Sequence, residues 1–300
     1  MLPRWATQIN CINKALYTLN KLSKHVFSRR GGRGRKPKVS SHRYALLIAL
    51  KEFEKRSLRG AEVHLSRLVC DTRIDHSVIA YWEKKEEMRD LVARFISVAG
   101  ATLETHLSRL FTMVDATRFT SWNVHEVEVT VCNRIAKRTV YPVGVSFQTE
   151  SVRAPVKEAV PGGHGKLYAD AWYDENKAIM ALFKKGYEPI ICPNKMRYKG
   201  FYRKKARELY KMQENREGYR QRGRGESPFG SLTNCYGDRL HARNKTVMQT
   251  RIAARLLCYQ VKLLIRIINA YVLIIRHARL ELYDIVSLYL NMNYKTKIGR

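Results

Sequence analysis

Acids are scarce in this chain of 300 residues, which holds 26 Asp and Glu against 56 Lys and Arg. Those standing at chemically useful places therefore carry information. Glu226 sits in the basic, glycine-rich run "YRQRGRGESPFGSL", Tyr219 to Leu232, where a carboxylate would only weaken a surface meant to hold a polyanion. Asp115 ends a short apolar run in "SRLFTMVDATRFT", and Asp170 ends another in "KLYAD". A lone Asp after a strand is often a turn or capping residue. Two aspartates at the carboxyl ends of neighbouring strands lie where α/β sheets gather ligand sites, and with a third acid they offer hard oxygen donors to divalent metals. Glu226 then has a reason to stand among arginines: it meets the metal while the cations meet a phosphodiester.

The elements that would position these acids read as α/β. "HEVEVTVCNR" alternates, with Val127, Val129 and Val131 on one face, and "RTVYPVGVSFQT" supplies a strand to pair with it as a hairpin. After "PGGHG" come a strand ending at Asp170, a helix capped by Asp174 and a third apolar strand, "EPIICP". Strands interleaved with a helix predict a mixed sheet with helices on its faces. Between Lys195 and Arg224, twelve Lys and Arg face three Glu, and Tyr198, Tyr202, Tyr210 and Tyr219 recur among them. That mixture suits phosphate contacts combined with stacking, so 195–224 is expected to be a basic insertion that holds DNA near the acids. Residues from Pro228 to Asn291 read as helical, starting at a Ser227 cap with Pro228 in the first turn.

The N-terminal third looks different. No carboxylate precedes Glu52, and "SRRGGRGRKPK", Ser28 to Lys38, is too rich in glycine and proline for a stable helix. Arg33, Arg35 and Lys36 in such an extended segment suit a DNA minor groove, or else an unspecific phosphate-binding tail. From Ser41 the apolar period becomes helical, through Leu46, Leu47, Leu50 and Phe53 and later Val78, Ile79 and Trp82. Ser57 and Asp75 are candidate N-caps. Three short helices with a tight break before the last predict a helix-turn-helix whose final helix turns His76, Ser77, Ala80 and Tyr81 outward to a major groove. A plain three-helix bundle would show the same periodicity.

A formal net charge of +30 on a chain that is 45% hydrophobic belongs to a folded protein with a polyanionic partner, either nucleic acid or an anionic membrane surface. The most apolar segment, Leu256 to Ile275, is broken by Lys262 and Arg266. It falls short of the roughly 20 apolar residues of a membrane span and reads as a buried helix. The N-terminus lacks the apolar core of a signal peptide. Six cysteines are scattered without a C-x-x-C pair or zinc-ligand spacing, as expected of reduced thiols in a cytoplasmic protein.

Tyr219, Arg222 and Glu226 reproduce the spacing Y-x2-R-x3-E, and by it the chain resembles a large group of bacterial and archaeal insertion-sequence DDE transposases. "VDATRFT" and "YADAWYDENKAIMALFKKG" are similar to that family's first and second aspartate blocks, in the right order. "LRGAEVHLSRLVCDTRIDHSVIAYWEKK" is similar to the helix-turn-helix that often precedes them. The resemblance implies an RNase H-like mixed β-sheet flanked by helices, preceded by an α-helical helix-turn-helix region. It implies that Asp115, Asp170 and Glu226 are catalytic carboxylates holding two Mg2+ or Mn2+ ions, with Tyr219 and Arg222 steadying the DNA backbone. The implied partners are double-stranded DNA, both the element's terminal repeats and target DNA, with a homodimer on the DNA, no membrane role and a nucleoid-associated location. Expected boundaries are a basic arm over 1–40, a helix-turn-helix domain over 41–95, a catalytic domain over 107–275 and a helical tail over 276–300. Two departures from the family pattern stand out: Thr233 occupies the position that commonly holds Lys, and Pro228 puts Glu226 at a helix start. A transposase-derived DNA-binding protein or repressor without activity is the alternative. "HLSRL" at His64 and His106 matches the H-x-x-R of tyrosine recombinases, but those enzymes carry it late in the chain and here both copies fall in the first half.

Overall fold

The computed structural model describes residues 4–27, 38–122, 126–196, 199–237 and 239–297. The chain forms two compact units, Met1–Val261 and Lys262–Arg300.

The first unit opens with six helices, α1 (Arg4–Ser23), α2 (Ser41–Phe53), α3 (Leu58–His64), α4 (Ser66–Cys70), α5 (His76–Glu83) and α6 (Glu86–Glu104). Ser57 and Asp75 cap as their residue types require, accepting from the N–H groups of Gly60 at 3.0 Å and Ser77 at 2.7 Å. Of the expected apolar face of α5, Ile79 is buried and Trp82 stacks on Tyr44, whereas Val78 is exposed. The cationic N-terminal segment is not extended over its first part, because Ala15, Leu19 and Leu22 recur at helical spacing and bury one face of α1. Arg33, Arg35 and Lys36 lie outside the described residues. In α6, Met88, Leu91, Val92, Phe95, Ile96, Ala99 and Leu103 form the buried stripe, and the helix runs across position 95 to pack on the sheet.

That sheet contains β1 (Arg109–Ser121), β2 (Glu126–Ala136), β3 (Val140–Ser146), β4 (Gly165–Ala169), β5 (Tyr187–Ile191) and the short β6 (Arg239–Leu240). Its order is β3-β2-β1-β4-β5, with β6 also on β1. β1, β2 and β3 run antiparallel, while β4, β5 and β6 join in parallel. Helices α7 (Arg153–Ala159) and α8 (Asn176–Lys184) supply the crossovers that parallel pairing needs. Then follow α9 (Phe201–Lys211), α10 (Gln213–Arg220), α11 (Ser227–Tyr236) and α12 (Lys245–Lys297). Phe111, Met113, Ile135, Val140, Tyr168 and Ile190 form a core cluster against which Leu209, Tyr210 and Tyr219 pack. The result is a mixed sheet flanked by helices, consistent with an RNase H-like fold.

Several local expectations need correction. Asp115 does not end a strand: β1 continues to Ser121 because β2 pairs with it as far as Thr120↔Glu126. Asp174 does not cap α8, which starts at Asn176. It is buried instead, accepting from Arg203 Nε at 2.9 Å and from the Asn194 N–H at 2.8 Å. The residue preceding α11 is Glu226, and Ser227 turns its hydroxyl back to donate to the Arg224 carbonyl at 2.6 Å. The helix from Pro228 breaks at Gly237, whose φ of 79° is left-handed, before β6 and α12. Within the first unit Leu256, Leu257 and Val261 of α12 are buried as expected.

The second unit is helical over its described residues, and Ile268, Tyr271 and Val272 are exposed. No helix among the described residues is long and apolar enough to cross a membrane.

Candidate active site

The register of the parallel strands brings two of the expected acids together. β1 and β4 pair through Val114↔Ala169, so the next residues, Asp115 and Asp170, leave that ladder side by side. β2 occupies one edge of β1 along nearly its whole length, and on the other edge β4 ends at Ala169 while β6 begins opposite Thr120. Beside the two acids lies a cavity of about 360 Å3 lined by Asp115, Thr117 and Arg118 of β1, Glu128 of β2, and Asp170 and Trp172 just after β4, among others. Asp170 is fixed there by accepting from the Ala171 N–H, which caps the 3-10 turn Ala171–Tyr173. Tyr173 is buried beneath it, and burial, with the charges of Asp115, Glu128 and Asp170 adding, holds its phenol protonated.

Tyr219, Arg222 and Glu226 span this site from the end of α10 through the 3-10 segment Gln221–Glu226. The Tyr219 hydroxyl donates to the Ala169 carbonyl at 3.3 Å, at the residue before Asp170, and burial pushes the phenol up to about 12 so that it remains a donor. Arg222 pairs with Asp115 at 3.6 Å. The segment lies flat on β1 and β2: Asn133 donates to the Gly225 carbonyl at 3.2 Å, and Arg224 donates to Ala136 O at 2.7 Å and Lys137 O at 3.0 Å. Gly225 permits this contact, since a Cβ there would stand 1.5 Å from Met113 Cε. Glu226 follows, exposed, near enough for its charge to act on Asp115. Burial raises the Asp115 carboxyl above its ordinary value; Arg222 and the Ala116 N–H oppose this, while Glu226 and Asp170 add to it. Asp115 and Asp170 thus present carboxylate oxygens, hard donors of the kind divalent cations take, at adjacent strand positions, with the Glu226 charge nearby.

The other expected site residues lie elsewhere. Ser77 and Tyr81 are exposed on α5, with Tyr81 55% accessible. His76 is half-buried, its Nδ1 at 2.9 Å from Glu62, which also accepts from Arg73 at 2.6 Å. Among the described residues Glu62, Asp75 and His76 are the set whose ligand-type atoms converge within 4.8 Å. Arg73 and the His76 backbone already satisfy Glu62 there, which makes it a strut between α3 and α5. Asp115, Asp170 and Glu226 are not gathered that tightly. Glu128, Arg118 and Trp172 were not anticipated. The only signal for Glu128 was its place on the polar face of the alternating β2 sequence.

Comparison with protein families matches residues 106–261 to the transposase DDE domain. The chain belongs to the DDE transposase family. No curated protein and no solved structure matches it. In this DDE transposase the matched region runs from just before β1 to the end of the first compact unit and contains Asp115, Asp170 and Glu226, whereas α1–α6 lie outside it. Membership implies a DNA-cleaving enzyme that uses divalent metal ions. In such a transposase the surplus of 56 Lys and Arg over 26 acids is accounted for by DNA as partner.

Proposed function

We propose that this transposase binds the terminal repeats of an insertion sequence, cleaves the strands there and joins the exposed 3′ ends to target DNA. The observation that carries the reading is the Val114↔Ala169 register, which sets Asp115 beside Asp170 while Tyr219 and Arg222 reach one to each aspartate strand. Asp115, Asp170 and Glu226 are the catalytic carboxylates and would hold two Mg2+ or Mn2+ ions. When bound, such ions activate the attacking water or 3′-hydroxyl and stabilise the leaving oxygen of an in-line displacement.

The chain's own residues position and neutralise. Tyr219 fixes the end of β4 and with it the backbone of Asp170, and Arg222 orients Asp115 until DNA arrives and then turns to a backbone phosphate. The Lys and Arg side chains of α9 and α10 hold the duplex beside the cavity. No covalent protein intermediate is required. Helices α3 to α5 act as a helix-turn-helix, with Ser77 and Tyr81 toward base edges and His76 braced by Glu62. Arg33, Arg35 and Lys36 add phosphate or minor-groove contacts. The domains follow as arm, helix-turn-helix, catalytic domain and tail, and joining two ends calls for a homodimer on nucleoid DNA.

The test is incubation of the purified chain with labelled duplexes carrying the sequences that bracket its reading frame, in Mg2+ or in EDTA. Metal-dependent nicking at the repeat boundary that leaves a 3′-hydroxyl supports the reading. Tight binding with no nicking in Mg2+ or Mn2+ contradicts it and favours the second reading, a DNA-binding protein without activity. Thr233 speaks for that second reading, because its hydroxyl folds back on its own helix, 3.0 Å from Gly230 O, and leaves no cation at a position where the family commonly has Lys.

A further inference from the structure

A second cavity, of about 370 Å3, shares no lining residue with the first and lies where the turn between α2 and α3 meets the end of α11 and the first turns of α12. Lys51, Lys55, Arg56, Arg251 and Arg255 line it, and Glu52 is the only acid that does. Part of this charge is internally compensated. Lys51 reaches Glu52 at 2.6 Å and Glu83 at 2.9 Å, Arg251 reaches Glu83 at 2.8 Å, and Arg255 reaches Glu52 at 2.8 Å. Within this ion-pair set three cations face two carboxylates, all with side chains at most 14% exposed. Each acid already faces two of these cations, and three positive charges against two negative ones leave one in excess where little water reaches it. Buried charge of this kind calls for a counter-charge.

The rim adds to the excess. Lys55 and Arg56 are adjacent and exposed at the cavity mouth. Lys55 holds a left-handed φ of 55°, where a residue with a Cβ is roughly 1–2 kcal/mol worse than glycine. The reversal closes with Arg56 N–H donating to Lys51 O at 2.9 Å. Lys55 Nζ and the Arg255 guanidinium stand 5.6 and 4.7 Å from the centroid of the Tyr236 ring, which aligns both along one wall. Arg251 is committed internally, to Glu83 and to the His241 carbonyl, so the donors that converge here are Lys55 and Arg56 of the α2–α3 turn and Arg255 of α12. Guanidinium forks match carboxylate and phosphate alike, and the excess of cations favours the oxyanion of larger charge, a phosphate.

We propose that this cavity is a phosphate seat, a binding site separate from the acid pair that takes either a phosphodiester of bound DNA or a free polyphosphate. It does not depend on the cleavage reaction. The seat gathers charge from the N-terminal helices and from α12, so an occupant ties the two together.

The experiment uses the full chain and the paired variant Lys55→Ala/Arg56→Ala, whose exposed positions leave the buried ion pairs intact. Circular dichroism and an unchanged melting temperature in phosphate-free buffer establish the fold. In one arm sodium tripolyphosphate is titrated in a thermal-shift assay: it raises the melting temperature of the parent, and the variant loses that shift. A control pair on the β2–β3 turn, Lys137→Ala/Arg138→Ala, keeps it. In the other arm a labelled duplex is bound across a range of salt. If DNA supplies the phosphate, the log–log slope of the variant is shallower by about two, at roughly 0.9 for each phosphate no longer neutralised. A response in the tripolyphosphate arm alone assigns the seat to free polyphosphate. Identical behaviour of parent and variant in both arms overturns the proposal. Neither arm reads cleavage, so loss of the transposase reading leaves this result standing.

Discussion

Asp115 is held at a cost to the metal-free protein. Its carboxyl titrates above the ordinary value because of burial and of the nearby Glu226 and Asp170 charges. Between the unfolded and folded values the native state binds the extra proton, so stability falls as pH rises through that window. Asp115→Asn therefore raises the melting temperature without metal, more at pH 7 than at pH 4, even though Arg222 loses its ion pair. A melting temperature that is lower at pH 7 would contradict this assignment. Tyr219→Phe removes the donor to Ala169 O and is expected to cost about 1 kcal/mol in urea unfolding. The three acids stood out in the sequence because acids are rare and these sit beside apolar runs or within a basic one, and the fold sets two of them, Asp115 and Asp170, side by side. The direction of Tyr219 was not. A tyrosine in a cationic stretch reads as a stacking surface, yet Tyr210 and Tyr219 turn into the sheet because Phe111 and Tyr168 offer them an apolar face. Glu128 and Trp172 escaped notice because only the pairing of β2 with β1 and the turn after β4 make them neighbours of the acids.

At the level of elements, the long strands and helices α2, α3, α5 and α8 followed from periodicity, whereas α1, α7, α9, α10 and β6 did not, nor did most ends, because ends are set by partners. β1 outlasts its apolar run since β2 continues beside it, and Asp174 is drawn from a cap into an ion pair by Arg203 on α9. The basic stretch 195–224 lacks a strand pattern and folds as α9 and α10, docked through Ala206, Leu209 and Tyr210. Helix α6 ties the N-terminal helices to the sheet, and Gly100 allows the approach: a Cβ there would stand 2.7 Å from Pro142 O and 2.8 Å from Val143 Cα. Gly100→Ala is expected to cost about 1–3 kcal/mol by overpacking, read as a lower urea midpoint with an unchanged slope. An unchanged midpoint would mean that α6 is free to shift on β3. On α5, Tyr81→Ala should reduce discrimination between terminal repeats and random duplex by about 1–3 kcal/mol if that helix reads base edges. An equal loss on both duplexes would reduce α5 to a backbone contact.

Across the first compact unit, a buried charge network joins α2, α5 and α12 through Lys51, Glu52, Glu83, Arg251 and Arg255. Burial alone would raise the Glu52 carboxyl, but Lys51 and Arg255 outweigh it and hold it at about 2. A depressed folded value means that this stabilisation is present above the ordinary value of 4.5 and is lost as pH falls toward about 2. Glu52→Gln should cost about 3–5 kcal/mol at neutral pH and flatten acid unfolding in that window. Such long-range pairing was illegible beforehand, since Glu52 and Arg255 are brought together only by the finished fold. The catalytic role of the three acids is read from Mg2+-dependent cleavage of labelled element ends by Asp115→Asn, Asp170→Asn and Glu226→Gln, beside gel-shift titrations of the same proteins. Each variant is predicted to bind the ends within a few-fold of the parent and to cleave on the order of a hundredfold more slowly or worse, with double variants little worse than single ones. Substantial cleavage by Glu226→Gln would contradict the account and make Glu128, already in the cavity, the next acid to replace.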